Sequence, residues 1–287
     1  MFGAAASRVH NFSPIERLFT PLTHLSGMGV RVASLSAVMA CVLLLVGCAA
    51  NRLAEPRARW RAEAEAACIA SGEVRASPYV QSAGSVGGKA CGMDRPLKVS
   101  GLLGGRVAVT PTATINCPLT AALDRWVKTS VQPAAYRSFG EPVVGIRQIA
   151  SYGCRGRNGR RSGPLSEHSF GNALDVAGFR LASGREVTVL QGWWRGGQRD
   201  RAFLQQVFAG ACAEFYTVLG PGSDSHHANH FHLDLLRTNA GGGRHYCRPQ
   251  PSPGAYARAP MASLPAENVG AVPRTPLSLV DKGRQNF

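Results

Sequence analysis

Two periodicities divide the middle of the chain. Leu119, Leu123, Trp126 and Val127 recur at helical spacing behind Pro118, which suits a first turn; they predict a helix over 118–139 that Pro133 kinks or restarts. Phe203, Val207, Ala211 and Phe215 make the apolar stripe of a second helix, expected over 199–219 and ended by Gly220-Pro221. The Ala/Arg/Glu-rich run from Glu55 to Ala70 favours helix by propensity. Alternating or β-rich runs predict strands at Leu97–Ser100 and Arg106–Thr110 around Gly104-Gly105, at Val143–Tyr152, and at Ala173–Leu181. Ser183-Gly184 turns the last of these into a hairpin with Glu186–Leu190. The Ser/Gly-rich stretch from Pro78 to Gly92 reads as loop, as does the basic, Gly-rich stretch from Arg155 to Pro164. Trp193-Trp194, in another Gly-rich loop, either lines a cleft or packs over the core. The pattern as a whole predicts an α+β fold, a small and mainly antiparallel sheet flanked by helices.

Two short stretches hold four of the eight histidines, and His226 adjoins the second. They are Ser166-Glu-His168-Ser-Phe-Gly171-Asn-Ala173-Leu-Asp175 and His227-Ala-Asn-His230-Phe-His232-Leu-Asp234. Side chains of a strand alternate faces, so His230, His232 and Asp234 share one face and Phe231, Leu233 and Leu235 the other. The apolar face can pack on a core and leave the imidazoles on the polar side. Imidazole is a good zinc ligand whose second nitrogen needs a partner, and Asp234 is placed to be that acceptor. In the first stretch Ala173, Asp175 and Ala177 alternate with Leu174, Val176 and Gly178, and the small neighbours of Asp175 leave room for a metal. Gly171 permits a bend that brings His168 back over Asp175. Two histidines and one carboxylate leave one tetrahedral position open, as in a catalytic rather than a structural zinc site. No Cys-x-x-Cys is present, which argues against thiolate zinc.

The pair of stretches, with Cys117-Pro118, Ser151-Tyr-Gly-Cys154-Arg155 and Asp175-Val-Ala-Gly-Phe179, resembles the bacterial extensin-like C-terminal domain family over roughly Cys68 to Cys247. The Ser-x-His-x-x-Gly-x-Ala-x-Asp and His-x-His core also resembles the D-Ala-D-Ala metallopeptidase superfamily, which includes murein endopeptidases and vancomycin-resistance dipeptidases. That resemblance implies metal ligation by His168, Asp175 and His232, and a base or orienting role for His230. It implies further that Ser166 supports the site, that Arg155 faces an oxyanion or a substrate carboxylate, and that His227 is an additional substrate-side histidine. The dipeptidases carry a glutamate where this chain has Asn229, so the endopeptidase-like arrangement is favoured. The implied function is zinc-dependent cleavage of peptidoglycan peptides in the bacterial envelope, of carboxypeptidase or endopeptidase type. A non-catalytic, zinc-stabilised lipoprotein that binds the cell wall is the rival reading.

Composition adds compartment and partners. The net charge of +15 comes from scattered arginines with no nucleic-acid motif, and suits an anionic envelope polymer or membrane surface. Residues 1–27 form an uncertain N-terminal extension, and Met28 opens a better leader, 28–47, ending Leu45-Val-Gly-Cys48. This resembles a lipobox, with Cys48 lipidated and the product a periplasmic, membrane-anchored lipoprotein, expected as a monomer. A linker and helical pre-segment (48–96), a metallopeptidase-like domain (97–248) and a disordered Pro/Ala-rich tail (249–287) follow. An even set of cysteines in an exported chain predicts three disulfides. Nearest-neighbour pairing gives Cys68–Cys91, Cys117–Cys154 and Cys212–Cys247.

Overall fold

The computed structural model describes residues 57–88, 90–160, 163–236 and 245–251. The leader with Cys48 and the chain beyond 251 lie outside the described residues. Among the described residues, no helix is long and apolar enough to cross a membrane.

The fold is α+β, and its sheet is larger than expected. Nine strands form it: β1 (Val80–Ser82), β4 (Leu97–Leu102), β5 (Val107–Ile115), β6 (Val143–Ala150), β7 (Ala173–Leu181), β10 (Phe231–Asp234), β9 (Thr217–Leu219) and β11 (Tyr246–Arg248) run side by side in that order, with β8 (Glu186–Thr188) also on β7. Pairing is antiparallel except for β5 with β6 and β9 with β11. A separate hairpin joins β2 (Val86–Gly88) to β3 (Cys91–Met93). The stretch from Pro78 to Gly92, expected as loop, therefore contributes three short strands.

Helices cover one face. They are α1 (Arg59–Ser71), α2 (Cys117–Trp126), α3 (Gln132–Phe139), the single turn α4 (Val189–Gly192) and α5 (Gln198–Glu214). Asn116 caps α2 by accepting from Leu119 N, and Pro118 sits in its first turn. The helix does not break at Pro133. It passes through a wide π turn at Val127–Val131, which accommodates the missing N–H, and continues as α3 with Pro133 in its first turn. The α5 helix stops at Glu214, five residues short of the expected end. Phe215 is extended (φ −103°, ψ 158°), because the chain turns at once into β9, whose backbone pairs with β10 and β11. Phe215 is nonetheless buried, so the apolar stripe outlives the helix. The β8 strand likewise ends at Thr188, whose side chain accepts from Gln191 N and starts α4.

The core lies between sheet and helices. Trp126 packs against Phe179 and Phe215, and Trp193 against Phe208 and Phe231. Trp126 donates its indole N–H to Val207 O at 3.0 Å, which satisfies its one polar atom. The period-two alternation of β7 holds only as far as Val176. Gln148 pairs with Val176 and Arg147 with Gly178, so Ala177 is an extra residue. This bulge puts Phe179 and Leu181 on the helix-covered side together with Leu174 and Val176, while Asp175 stays on the other.

Two of the three expected disulfides are corrected. The pairs are Cys68–Cys117, Cys91–Cys154 and Cys212–Cys247, so nearest-neighbour pairing holds only for the last. Cys68 on α1 lies against the start of α2, and Cys91 on the β2–β3 hairpin lies under the segment before Arg155. The residues ahead of Leu97, expected as a pre-segment, are thereby bound into the same unit. The β1–β4 pairing and a bidentate Arg61–Glu167 contact add to this.

Candidate metal centre

The register of β7 and β10 sets His232 directly opposite Asp175. Their polar faces meet on the side of the sheet that the helices leave uncovered. His168 arrives from a 3-10 turn, Glu167–Phe170, that precedes β7. Ser166 starts this turn, its hydroxyl accepting from His168 N at 3.4 Å. Gly171 ends it at φ 57°, a left-handed conformation that favours glycine, and a side-chain carbon there would require Met93 to move.

Three donor atoms converge as a result. His168 Nε2 is 3.1 Å from Asp175 Oδ1, His232 Nδ1 is 2.9 Å from the same oxygen, and the two nitrogens are 3.2 Å apart. All three residues are buried. A tetrahedral ion with bonds of roughly 2.0–2.1 Å holds its ligands about 3.3 Å apart, close to this triangle. The partners on the far sides of the rings decide the tautomers. His168 Nδ1 donates to Ser151 O at 2.7 Å, and His232 Nε2 donates to Asp234 Oδ2 at 3.0 Å. With both rings neutral, as a bound metal requires, each would turn a lone pair toward the position beside Asp175. Donor atoms so close together share a positive charge, a proton in the metal-free protein or a metal ion in its place. His168, Asp175 and His232 could therefore hold a metal ion.

Electrostatics agree with that reading. Burial would raise the Asp175 carboxyl, but hydrogen bonds from His168 and His232 outweigh it and hold the group far below the usual carboxylate range. Burial would lower His232, but Asp175 and Asp234 on its two nitrogens push it up to about 10. In the metal-free protein a proton therefore occupies the position that a cation would take.

The remaining predicted site residues line the same cleft, which has a volume of about 710 Å³. His230 Nε2 stands 3.6 Å from Asp175 Oδ1, and its Nδ1 is 2.8 Å from Asn229 Oδ1. With Nδ1–H given to Asn229, Nε2 carries the lone pair, and burial lowers the ring's pKa so that it stays neutral. Burial also lowers His227, against the opposing pull of Asp224, which accepts from its Nδ1 at 2.7 Å. Arg155 is at the rim, its Nη2 3.9 Å from Asp175 Oδ2. Its position is fixed by Ser169, whose hydroxyl accepts from Arg155 N and donates to Arg155 O, and by the neighbouring Cys91–Cys154 bridge. Of the two tryptophans offered by the sequence, Trp193 belongs to the core and Trp194 is exposed; neither lines this cleft.

Sequence reasoning passed over Asp224, the supporting role of Asn229, and the Ser151 carbonyl. Asp224 was visible as a capping residue three positions ahead of His227, where its side chain accepts from His226 N and His227 N. A backbone carbonyl leaves no mark in a sequence.

The model of the extensin-like protein C-terminus family matches residues 66–248. The chain belongs to that family. The matched region of this extensin-like domain runs from α1 to β11 and contains every residue of the cluster just described. No curated protein and no solved structure matches the chain.

Proposed function

We propose that the extensin-like domain is a zinc-dependent peptidase acting on peptidoglycan peptides, carried on a lipid anchor at Cys48 in the periplasm of a bacterial envelope. The observation that carries the reading is the triangle of His168 Nε2, Asp175 Oδ1 and His232 Nδ1, open toward the cleft on its fourth side. The resemblance of the two histidine stretches to the D-Ala-D-Ala metallopeptidases supplies the substrate class.

Zinc bound there would lower the pKa of a water molecule to about 7 and polarise a carbonyl. The chain's own groups supply the rest. His230 Nε2, neutral and unprotonated, accepts the proton of the attacking water and passes it to the leaving amine. Arg155 supplies positive charge to the oxyanion or to a substrate carboxylate. His227, oriented by Asp224, contacts substrate on the opposite side of His230, whose ring centroid is 5.2 Å away. Ser166 holds the His168 turn.

The test is mass spectrometry of muropeptides incubated with the zinc-loaded protein, with and without a chelator. A new peptide fragment that the chelator abolishes is the expected result. A fully zinc-loaded protein that yields no product overturns the peptidase reading in favour of a non-catalytic wall-binding lipoprotein.

A further inference from the structure

Trp194 is 66 % exposed, although its neighbour Trp193 is buried at 8 %. The two rings meet at 89° with centroids 6.3 Å apart, so Trp193 covers at most one face of the outer indole. Trp194 nonetheless lies close to two other segments of the chain. It follows α4 by two residues, and its Cζ2 is near Gly222, where an added side-chain carbon would stand 3.6 Å from it. The same carbon would be 3.8 Å from Pro249 Cγ. An indole so exposed is an unusual surface feature, since large aromatics usually bury most of their area.

The surface around it leads to the cleft. Gly222 directly precedes Ser223 and Asp224, which line the cleft. Pro249 follows β11, the strand that carries Tyr246 and Arg248 beside β9 at the sheet edge. Tyr246 lines the cleft and is 54 % exposed, and Arg248 lies over one face of its ring at 5.4 Å. Tyr246 at the cleft, the Arg248 guanidinium by its ring, and Trp194 near Gly222 and Pro249 thus belong to neighbouring segments of one surface. Tyr246 and Pro249 are three residues apart, roughly 10 Å along an extended chain.

We propose that Trp194 and Tyr246 form a saccharide-binding track that receives the glycan strand of a wall polymer while its peptide enters the cleft. The inference rests on the proposed peptidoglycan reading and adds the glycan to the substrate. A pyranose ring has an apolar C–H face and a polar rim, which matches aromatic faces that flank a multidentate hydrogen-bond donor. Leu190, four residues before Trp194, is likewise 58 % exposed, and a membrane surface is the competing occupant.

The probe is an N-acetylglucosamine tetramer, titrated calorimetrically and by tryptophan fluorescence against the full-length protein, its Trp194→Ala and Tyr246→Ala variants, and the His230→Ala variant. The expected result is saturable binding to wild type, weakened at least about tenfold by Trp194→Ala, weakened less by Tyr246→Ala, and kept in His230→Ala and in chelator. Both aromatic side chains are exposed, and thermal unfolding of each variant confirms that it is folded. Absence of tetramer binding to wild type, or equal binding by folded Trp194→Ala, overturns the proposal. So does a Trp194-dependent association with anionic lipid vesicles in place of the tetramer. Because binding is read without turnover, tetramer binding with no muropeptide cleavage would remove the peptidase reading alone, and cleavage with no tetramer binding would remove the track alone.

Discussion

His168 Nε2 and His232 Nδ1 face each other at 3.2 Å, and the other nitrogen of each ring donates to a partner behind it. With both rings neutral the facing lone pairs would repel beside the Asp175 oxygen, so a proton or a metal ion belongs between them. The sheet makes this arrangement affordable. Cross-strand register fixes His232 and Asp175, while the Ser166 and Gly171 ends of the 3-10 turn fix His168. A binding site built this way is organised before its ligand arrives, and its backing partners tune it.

The Asp234 carboxylate should therefore matter without touching the ion. Its Oδ2 orients His232 while its Oδ1 accepts from Leu236 N. Asp234→Ala is expected to lower zinc affinity about 10- to 100-fold, and His168→Ala or Asp175→Ala to abolish stoichiometric binding. Competition against a chromophoric chelator measures all three. Wild-type affinity in His168→Ala would sink the ligand assignment.

Protons and metal compete for one position, which gives a pH dependence. The metal-free fold holds His232 up to about 10 from an ordinary value of 6.5, and holds Asp175 below its ordinary 3.8. A raised histidine contributes stability that is full below 6.5 and is lost as pH rises toward 10; a depressed aspartate contributes stability that is full above 3.8 and is lost as pH falls. The metal-free protein should thus be most stable between about pH 4 and 6.5. Zinc binding at pH 7 should release a proton, and its apparent affinity should rise with pH. Calorimetry in buffers of different ionisation enthalpy reads the proton count; a count of zero contradicts the assignment.

The Arg61–Glu167 pair ties α1 to the turn that carries His168. Two hydrogen bonds of 2.8 and 2.7 Å join them, Asn172 Nδ2 also donates to Glu167, and the Arg61 guanidinium lies 3.6 Å above the Phe170 ring. Both partners are largely buried, at 10 % and 4 % exposure. Removing one leaves the other charge stranded, so Arg61→Ala should cost about 3–5 kcal/mol in urea unfolding. A loss under about 1 kcal/mol would mean that the pair behaves as a surface contact.

Much of this was legible before the structure. His-x-His with alternating Phe231 and Leu233 told a strand with a polar face, and Asp234 could be named as the acceptor for a ring on that face. What failed depended on contacts distant in sequence. The pairing of Cys68 with Cys117 follows from α1 docking on α2, and that of Cys91 with Cys154 from the β2–β3 hairpin docking beneath the Arg155 segment. Neither docking leaves a periodic signal. The bulge at Ala177 was hidden for a related reason, since a single inserted residue reverses the faces without changing the residue types. The Phe215 stripe misled in the other direction, because burial continued in helical phase where the backbone did not.

The His230 role separates binding from turnover. Its Nε2 stands 3.6 Å from Asp175 Oδ1, farther than either ligand nitrogen, and Asn229 fixes its tautomer. A side chain in that position can exchange a proton with a water at the open side of the triangle without being needed to hold the ion. His230→Ala is expected to bind one zinc like wild type and to lose about 10²- to 10⁴-fold in muropeptide cleavage. Asn229→Ala should leave metal content unchanged and lower the rate by a smaller factor, because the ring then samples both tautomers. Elemental analysis of the purified variants beside mass-spectrometric rates separates the two effects. Loss of zinc from His230→Ala would move this histidine into the ligand set and pass the proton-transfer role to His227, which Asp224 already holds with its Nε2 free.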